Sequence, residues 1–167
     1  MKSFTSIIIL SLTIILFISN CSKQKEDQEI SGRLISNSEC KHLKSANTIP
    51  IAPDSVTSIS YTYDASKHKL MLNHINAGFN CCPDSLYCSF SLTQDTIIIQ
   101  EFEKSLGCKC NCLYDLEIEV TGVDKKIYQI KFIEPLAGEQ QKIIFEMDLT
   151  KNNTGSYSVI RKQYPWG

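Results

Sequence analysis

Eight cysteines among 167 residues are the most reactive groups this chain carries. Cys21 stands apart near the N-terminus, and seven more follow at Cys40, Cys81, Cys82, Cys88, Cys108, Cys110 and Cys112. Cys108, Cys110 and Cys112 are spaced two apart, so on a β-strand all three thiols project from one face at steps of about 6 to 7 Å. That spacing suits bonds to a neighbouring strand better than bonds within the triplet. Cys81 and Cys82 point to opposite faces if extended, and Pro83 biases Cys82 toward the extended region. One of that pair is then expected to face the triplet while the other looks away. Seven is an odd number, so at least one thiol stays free, pairs between molecules or binds something.

Two chemistries compete for these thiols. In an oxidising compartment they form disulfides, and that is the preferred reading, with no cofactor. The alternative is a metal site in which the triplet, one of Cys81 or Cys82, and His74 supply soft sulfur and nitrogen ligands for Cu(I) or Zn(II). His74 shares a face with Leu70 and Leu72, where a polar ring needs a partner; a core histidine bonded to backbone is the plainer account of it. Structural zinc sites usually draw ligands from C-x-x-C turns, and the sequence contains none, which also removes a thioredoxin-type redox site. Nor is there a G-x-S-x-G, an H-E-x-x-H, a P-loop or a dinucleotide-binding fingerprint. Cys81 or Cys82 with His74 has the residue types of a nucleophile pair, but nothing supplies an oxyanion hole or an orienting acid. A non-enzymatic protein is therefore expected. The formal net charge of −1 offers no basic surface to neutralise phosphates, so nucleic acid is not an expected partner.

The elements that must hold these residues are strands. From about Ser58 onward apolar residues recur with period two. Ile59, Tyr61 and Tyr63 alternate with hydroxyl residues, and Leu70, Leu72 and His74 follow after a turn at Asp64 to His68. Leu86, Cys88, Phe90 and Leu92 alternate with Ser85, Tyr87, Ser89 and Ser91, then Ile97 to Phe102 continues. The clearest strand runs from Cys108 to Val120, with Tyr114, Leu116, Ile118 and Val120 on the cysteine face and Asp115, Glu117 and Glu119 on a solvated one. Tyr128, Ile130 and Phe132 align, as do Ile143, Phe145, Met147 and Leu149, and Ser156 to Arg161 closes the series. Seven or eight short strands with frequent turns predict an antiparallel, immunoglobulin-like β-sandwich. Tyr128 fits either a corner tyrosine or a plain core aromatic. Glu39 to Ala46 is suited to one short helix ahead of Pro50 and Pro53.

The N-terminus directs export. Lys2 precedes an apolar run from Phe4 to Ile18, too short and too interrupted by hydroxyls to span a bilayer and of signal-peptide length. Ile18-Ser19-Asn20-Cys21 resembles a bacterial lipobox, with Asn20 where Gly, Ala or Ser is usual. The resemblance implies cleavage before Cys21 and lipidation of its thiol and amine. Several acyl chains at about 0.8 kcal/mol per buried CH₂ make a stable membrane anchor. The chain thus divides into a signal peptide (1–20), a lipidated, charged tether (21–32) and a Cys-rich domain (33–167). Ser22 resembles the residue of outer-membrane-directed lipoproteins, and Lys23 to Asp27 resembles short acidic surface-export signals. Asp54-Ser55-Val56, Asp84-Ser85-Leu86 and Asp95-Thr96-Ile97 resemble the O-glycosylation acceptor of some outer-membrane bacteria, and are ordinary turn dipeptides as well.

The segments LMLNHINAGFNCCPD and CKCNCLYDLEIEV, with the terminal RKQYPWG, resemble a set of secreted bacterial lipoproteins of unknown function. These share H-x-N-x-x-F-N-C-C followed by C-x-C-x-C-x-Y-D, and the likeness spans Leu70 to Gly167. It implies an exported Cys-rich module and groups His74, Asn80, Cys81, Cys82, Cys108, Cys110, Cys112, Tyr114 and Asp115. The expected protein is a lipid-anchored envelope component, in the outer membrane on its periplasmic or outer face, acting as a binding or structural module. Protein and glycan ligands both stay open.

Overall fold

A computed structural model describes residues 29–41, 56–105 and 108–162. The signal peptide, Cys21, the tether up to residue 28, most of the helical segment expected from Glu39 to Ala46, Asp54-Ser55 and the terminal QYPWG lie outside the described residues. Within them the chain is all β, with nine strands. Strands β1 (Ser31–Asn37), β2 (Val56–Asp64), β3 (Lys69–Asn80), β4 (Pro83–Thr93) and β5 (Thr96–Ser105) are followed by β6 (Asn111–Thr121), β7 (Ile127–Ile133), β8 (Ile144–Asp148) and β9 (Thr154–Ile160). They form a five-stranded sheet in the order β1-β6-β3-β2-β9 and a four-stranded sheet in the order β4-β5-β7-β8. No helix of the described residues is long and apolar enough to cross a membrane.

The period-two pattern produces the sandwich. Ile59, Leu70, Leu72, Ile118 and Val120 from the first sheet, and Ile97, Ile99, Tyr128, Ile130 and Met147 from the second, are fully buried between the layers. At roughly 25 cal/mol per Å² of apolar surface removed from water, this shared face is the main force holding the sheets together. A β-bulge between His74 and Ala77, with Asn76 at φ 64°, resets the alternation in β3. The inward set therefore passes from Leu70, Leu72 and His74 to Ala77 and Phe79, all fully buried. Tyr128 satisfies both expectations made of it. Its ring has no exposed surface, and its hydroxyl accepts the backbone N–H of Asp124 at 3.0 Å, a tyrosine corner.

Three details depart from the pattern read in the sequence. β5 and β7 pair in parallel, in an otherwise antiparallel fold. β1, whose Ser, Gly and Arg residues carry no alternating signal, adds an edge strand beginning two residues inside the expected tether. Its Gly32 lies against Phe90 of β4, where a Cβ would sit 2.6 Å from the ring, so the edges of the two sheets close together there. Finally, β6 begins at Asn111, so Cys108 and Cys110 precede the strand and are exposed rather than continuing its buried face.

Candidate functional site

Cys81 and Cys82 occupy the short crossing from the end of β3 in one sheet to the start of β4 in the other. Cys108 and Cys110 occupy the return crossing from β5 to β6. Because β3 pairs with β6 and β4 with β5, the two crossings run antiparallel side by side. The β3–β6 ladder ends with Phe79 opposite Cys112 and Asn80 opposite Asn111. One step further its register puts Cys81 opposite Cys110, and the Cys81 N–H donates to the Cys110 carbonyl at 2.9 Å. Disulfides Cys81–Cys110 and Cys82–Cys108 then staple the crossings, with Cα–Cα separations of 5.4 and 6.1 Å. The third, Cys40–Cys112, ties the segment after β1 to β6 with a Cα–Cα separation of 5.7 Å, and Cys112 is buried in the core.

All three bonds leave the triplet, as its spacing implies. The expectation that one of Cys81 and Cys82 looks away is corrected: both reach the triplet. The reason is that the chain turns at the crossing instead of continuing as a strand, so the opposite-face rule of an extended chain does not operate there. The Sγ atoms of Cys81, Cys82 and Cys108 all lie within 4.8 Å of one another. Asn80 organises this end. Its Nδ2 donates to the Cys108 carbonyl at 2.6 Å, its Oδ1 accepts the Cys82 N–H at 3.1 Å, and its carbonyl accepts the Tyr114 hydroxyl at 3.1 Å. The Asn80 N–H in turn donates to Glu103 at 2.6 Å.

His74 lies in a different place. Its side chain is fully buried, with Nδ1 2.7 Å from Glu101 Oε1 and Nε2 2.8 Å from Thr57 Oγ1. The Thr57 hydroxyl donates to the Ile75 carbonyl at 3.0 Å, so it accepts from Nε2. With the Glu101 carboxyl at the other nitrogen, this arrangement favours the imidazolium form, in which both ring nitrogens donate. Glu134, buried to 1% exposure, lies 3.9 Å from the same Nε2 and receives Arg161 at 2.7 and 2.6 Å. Arg161 also donates to the Gln141 carbonyl at 2.8 Å. Two cations and two carboxylates are thus enclosed between the sheets. Burial alone drives His74 toward its neutral form, but Glu101 and then Glu134 outweigh it and raise its pKa, against Arg161. Burial raises the pKa of Glu134, opposed by His74 and Arg161.

The sequence reading missed Thr57, Glu101, Glu134 and Arg161, although a signal for them existed. Ile97-x-Ile99-x-Glu101, Tyr128-x-Ile130-x-Phe132-x-Glu134 and Val159-x-Arg161 each carry a charged residue onto the core face by the same period of two. Each core row ends in a polar residue at the same end of the sandwich, as Leu70-x-Leu72-x-His74 does. Asp115 belongs to a third cluster, in which it pairs with Lys41 and accepts the Asn76 N–H at 3.1 Å. Glu119 is less solvated than its alternation implies, because Arg33 of the added edge strand and Lys69 pair with it at 2.9 and 2.5 Å.

Cys88 is the free cysteine of the described residues. It stands opposite Glu101 in the β4–β5 ladder, and burial together with that carboxylate pushes its thiol pKa up to about 12. A thiol so protonated is a poor nucleophile at neutral pH. A cleft of about 310 Å³ opens beside β7, lined in part by Lys131, Ile133, Lys142 and Ile144, away from every cysteine. Comparison with known protein families, with curated proteins and with solved structures finds no match to this chain.

Proposed function

We propose that this chain is a lipid-anchored component of the bacterial cell envelope, and that its β-sandwich is a non-enzymatic binding or structural module braced by disulfides. The observation that carries this reading is the complete pairing of Cys40, Cys81, Cys82, Cys108, Cys110 and Cys112. Such a framework persists in an oxidising compartment and not in a reducing cytosol. The lipobox-like segment ending at Cys21 supports the same compartment. The interior supports the absence of catalysis. His74, Glu101, Glu134 and Arg161 have the residue types of an acid–base site, but their side chains are at most 1% exposed and are paired chiefly with one another, His74 with Glu101 and Arg161 with Glu134. The side chains of His74, Glu101 and Arg161 are closed off from solvent, Glu134 lines the cleft beside β7, and Cys88 is held as a thiol.

The test is a thiol count on protein purified from the envelope, under denaturing, non-reducing conditions, with palmitate labelling in parallel. One free thiol, at Cys88, and label lost in Cys21→Ala are expected. Four or more free thiols in the untreated protein, or label that survives Cys21→Ala, overturn the reading.

A further inference from the structure

We propose that Cys81, Cys82, Cys108 and Cys110, once their two disulfides are reduced, form a tetrathiolate site for Zn²⁺ at the rim of the sandwich. The inference rests on the disulfide-braced reading only for the resting state; the site itself rests on geometry. Tetrahedral zinc with Zn–S bonds of about 2.3 Å needs sulfurs about 3.8 Å apart. Cys81, Cys82 and Cys108 already hold their Sγ atoms within 4.8 Å of one another, and Cys110 is bonded to one of them. Four thiols on two adjacent crossings, three of them already clustered and with the histidine of the core engaged elsewhere, favour Zn²⁺ over metals that prefer oxygen or imidazole. The usual C-x-x-C turn is replaced here by a C-C pair on one crossing and a C-x-C pair on its antiparallel neighbour.

Ligand orientation and access follow from the same residues. Asn80 fixes Cys82 and Cys108 through their backbones, so the two arms of the site are held together by hydrogen bonds as well as by sulfur. The β3–β6 ladder on one side and the β4–β5 ladder on the other keep the crossings adjacent after the sulfurs part. Lys109, exposed between Cys108 and Cys110, places a cation beside a complex that remains anionic. Cys108 and Cys110 are exposed and Cys81 and Cys82 half-buried, whereas Cys112 is 1% exposed. A dithiol reductant therefore reaches the outer two disulfides before Cys40–Cys112.

The chemistry balances with that reductant. Two dithiol molecules each deliver two electrons and two protons, two S–S bonds break, four thiols form, and the reductants leave as disulfides. Zn²⁺ then displaces the four thiol protons.

The experiment treats the purified full-length protein with graded dithiothreitol, removes the reductant anaerobically, and counts thiols. Zn²⁺ alone is then titrated against a chromophoric chelator, with circular dichroism recorded throughout. Release of four thiols as a first step, a retained β-sheet signal and one equivalent of tightly held Zn²⁺ are expected. Cys88→Ser is expected to bind as the parent does, and Cys82→Ser/Cys108→Ser, which keeps the Cys81–Cys110 bond, to weaken binding at least 100-fold. Release of all six thiols together, loss of the sheet signal on reduction, no zinc retained by four counted thiols, or undiminished binding by the double variant each overturns the proposal. The untreated sample's thiol count reports separately on the resting disulfides.

Discussion

His74 and Glu101 meet at 2.7 Å across the interior of the sandwich, one from β3 of the five-stranded sheet and the other from β5 of the four-stranded sheet. The bond joins the two layers at a point where both side chains are fully buried. Removing one partner strands a charge, which costs about 3 to 5 kcal/mol in a buried pair. Glu101→Leu is therefore expected to lower unfolding stability by that amount, read from the urea midpoint at constant slope. Replacing both partners leaves no stranded charge. His74→Phe/Glu101→Leu is expected to be more stable than Glu101→Leu alone, by about 2 kcal/mol or more. Equal losses in the single and double variants would show that the pair acts only by filling space.

The same cluster gives the fold a pH dependence whose sign follows from its pKa directions. Folded His74 holds its proton more tightly than the unfolded chain, whose histidine titrates near the ordinary value of 6.5. Its contribution is whole below that value and fades as pH rises through the higher folded pKa. Glu134, raised above the ordinary 4.5 by burial, also binds more protons folded than unfolded, so it too weakens the fold as pH rises. Stability is thus expected to fall as pH rises above about 4.5 through Glu134, and more steeply above about 6.5, where His74 joins it. In His74→Phe/Glu101→Leu the slope over that range is expected to be smaller. An unchanged slope in that variant would assign the dependence to other groups.

Acid acts through different residues. Asp64 and Asp148 each begin a D-x-[ST]-K turn, where the carboxylate accepts the N–H of the hydroxyl residue at 3.0 Å in both cases. Hydrogen bonds from Ser66 and Lys67 hold Asp64 at about 2, and those from Lys151 and Thr150 hold Asp148 at about 2. Their contributions are present above the unfolded value of 3.8 and are lost as pH falls toward 2. Asp64→Asn/Asp148→Asn is expected to flatten the acid limb of the stability curve below about pH 4 while leaving the alkaline limb unchanged. A flattened alkaline limb in that variant contradicts the separation of the two regions.

The particular residues show what a period of two encodes. Ile97 and Ile99, Tyr128 and Ile130, and Leu70 and Leu72 could be assigned to a core because strand geometry alone decides which face a residue takes. Glu101 and Arg161 obey the same geometry, but their burial depends on partners supplied by other strands, and sequence spacing says nothing of those pairings. The parallel pairing of β5 with β7 is hidden for the same reason. Cys108 to Cys112 was readable as a set bonded outward, since the distance between alternate residues on a strand suits bonds to a neighbour better than bonds within the set. The joint engagement of Cys81 and Cys82 was not, because it depends on a turn between sheets.

The three disulfides are expected to differ in both energy and accessibility. Cys40–Cys112 closes a separation of 72 residues, and Cys82–Cys108 one of 26. On a chain-entropy account the first corresponds to about 4.5 kcal/mol, and the second to well under its stand-alone value of about 3.5, because Cys81–Cys110 still closes nearly the same loop. Cys112 also fills core volume, so Cys40→Ala/Cys112→Ala is expected to be the more damaging double substitution by more than that difference. Urea midpoints of the two double variants, compared under oxidising conditions, test the order. A larger loss in Cys82→Ala/Cys108→Ala would place the principal brace at the rim instead of the core.

Cys88, half-buried against the core, is a direct probe of how firmly β4 is held to β5. With its pKa pushed up to about 12, its thiolate fraction at about pH 8 is roughly a thousandth of that of a free cysteine. Iodoacetamide is therefore expected to modify the folded protein about three orders of magnitude more slowly than the unfolded one. Two causes contribute, burial first and then the Glu101 carboxylate opposite, and a variant separates them. Glu101→Gln removes the charge while keeping the shape, so labelling is expected to quicken in the folded state by less than the full factor. Labelling of the folded parent at the unfolded rate would mean that β4 opens readily from β5 and that the thiol is not held against the core.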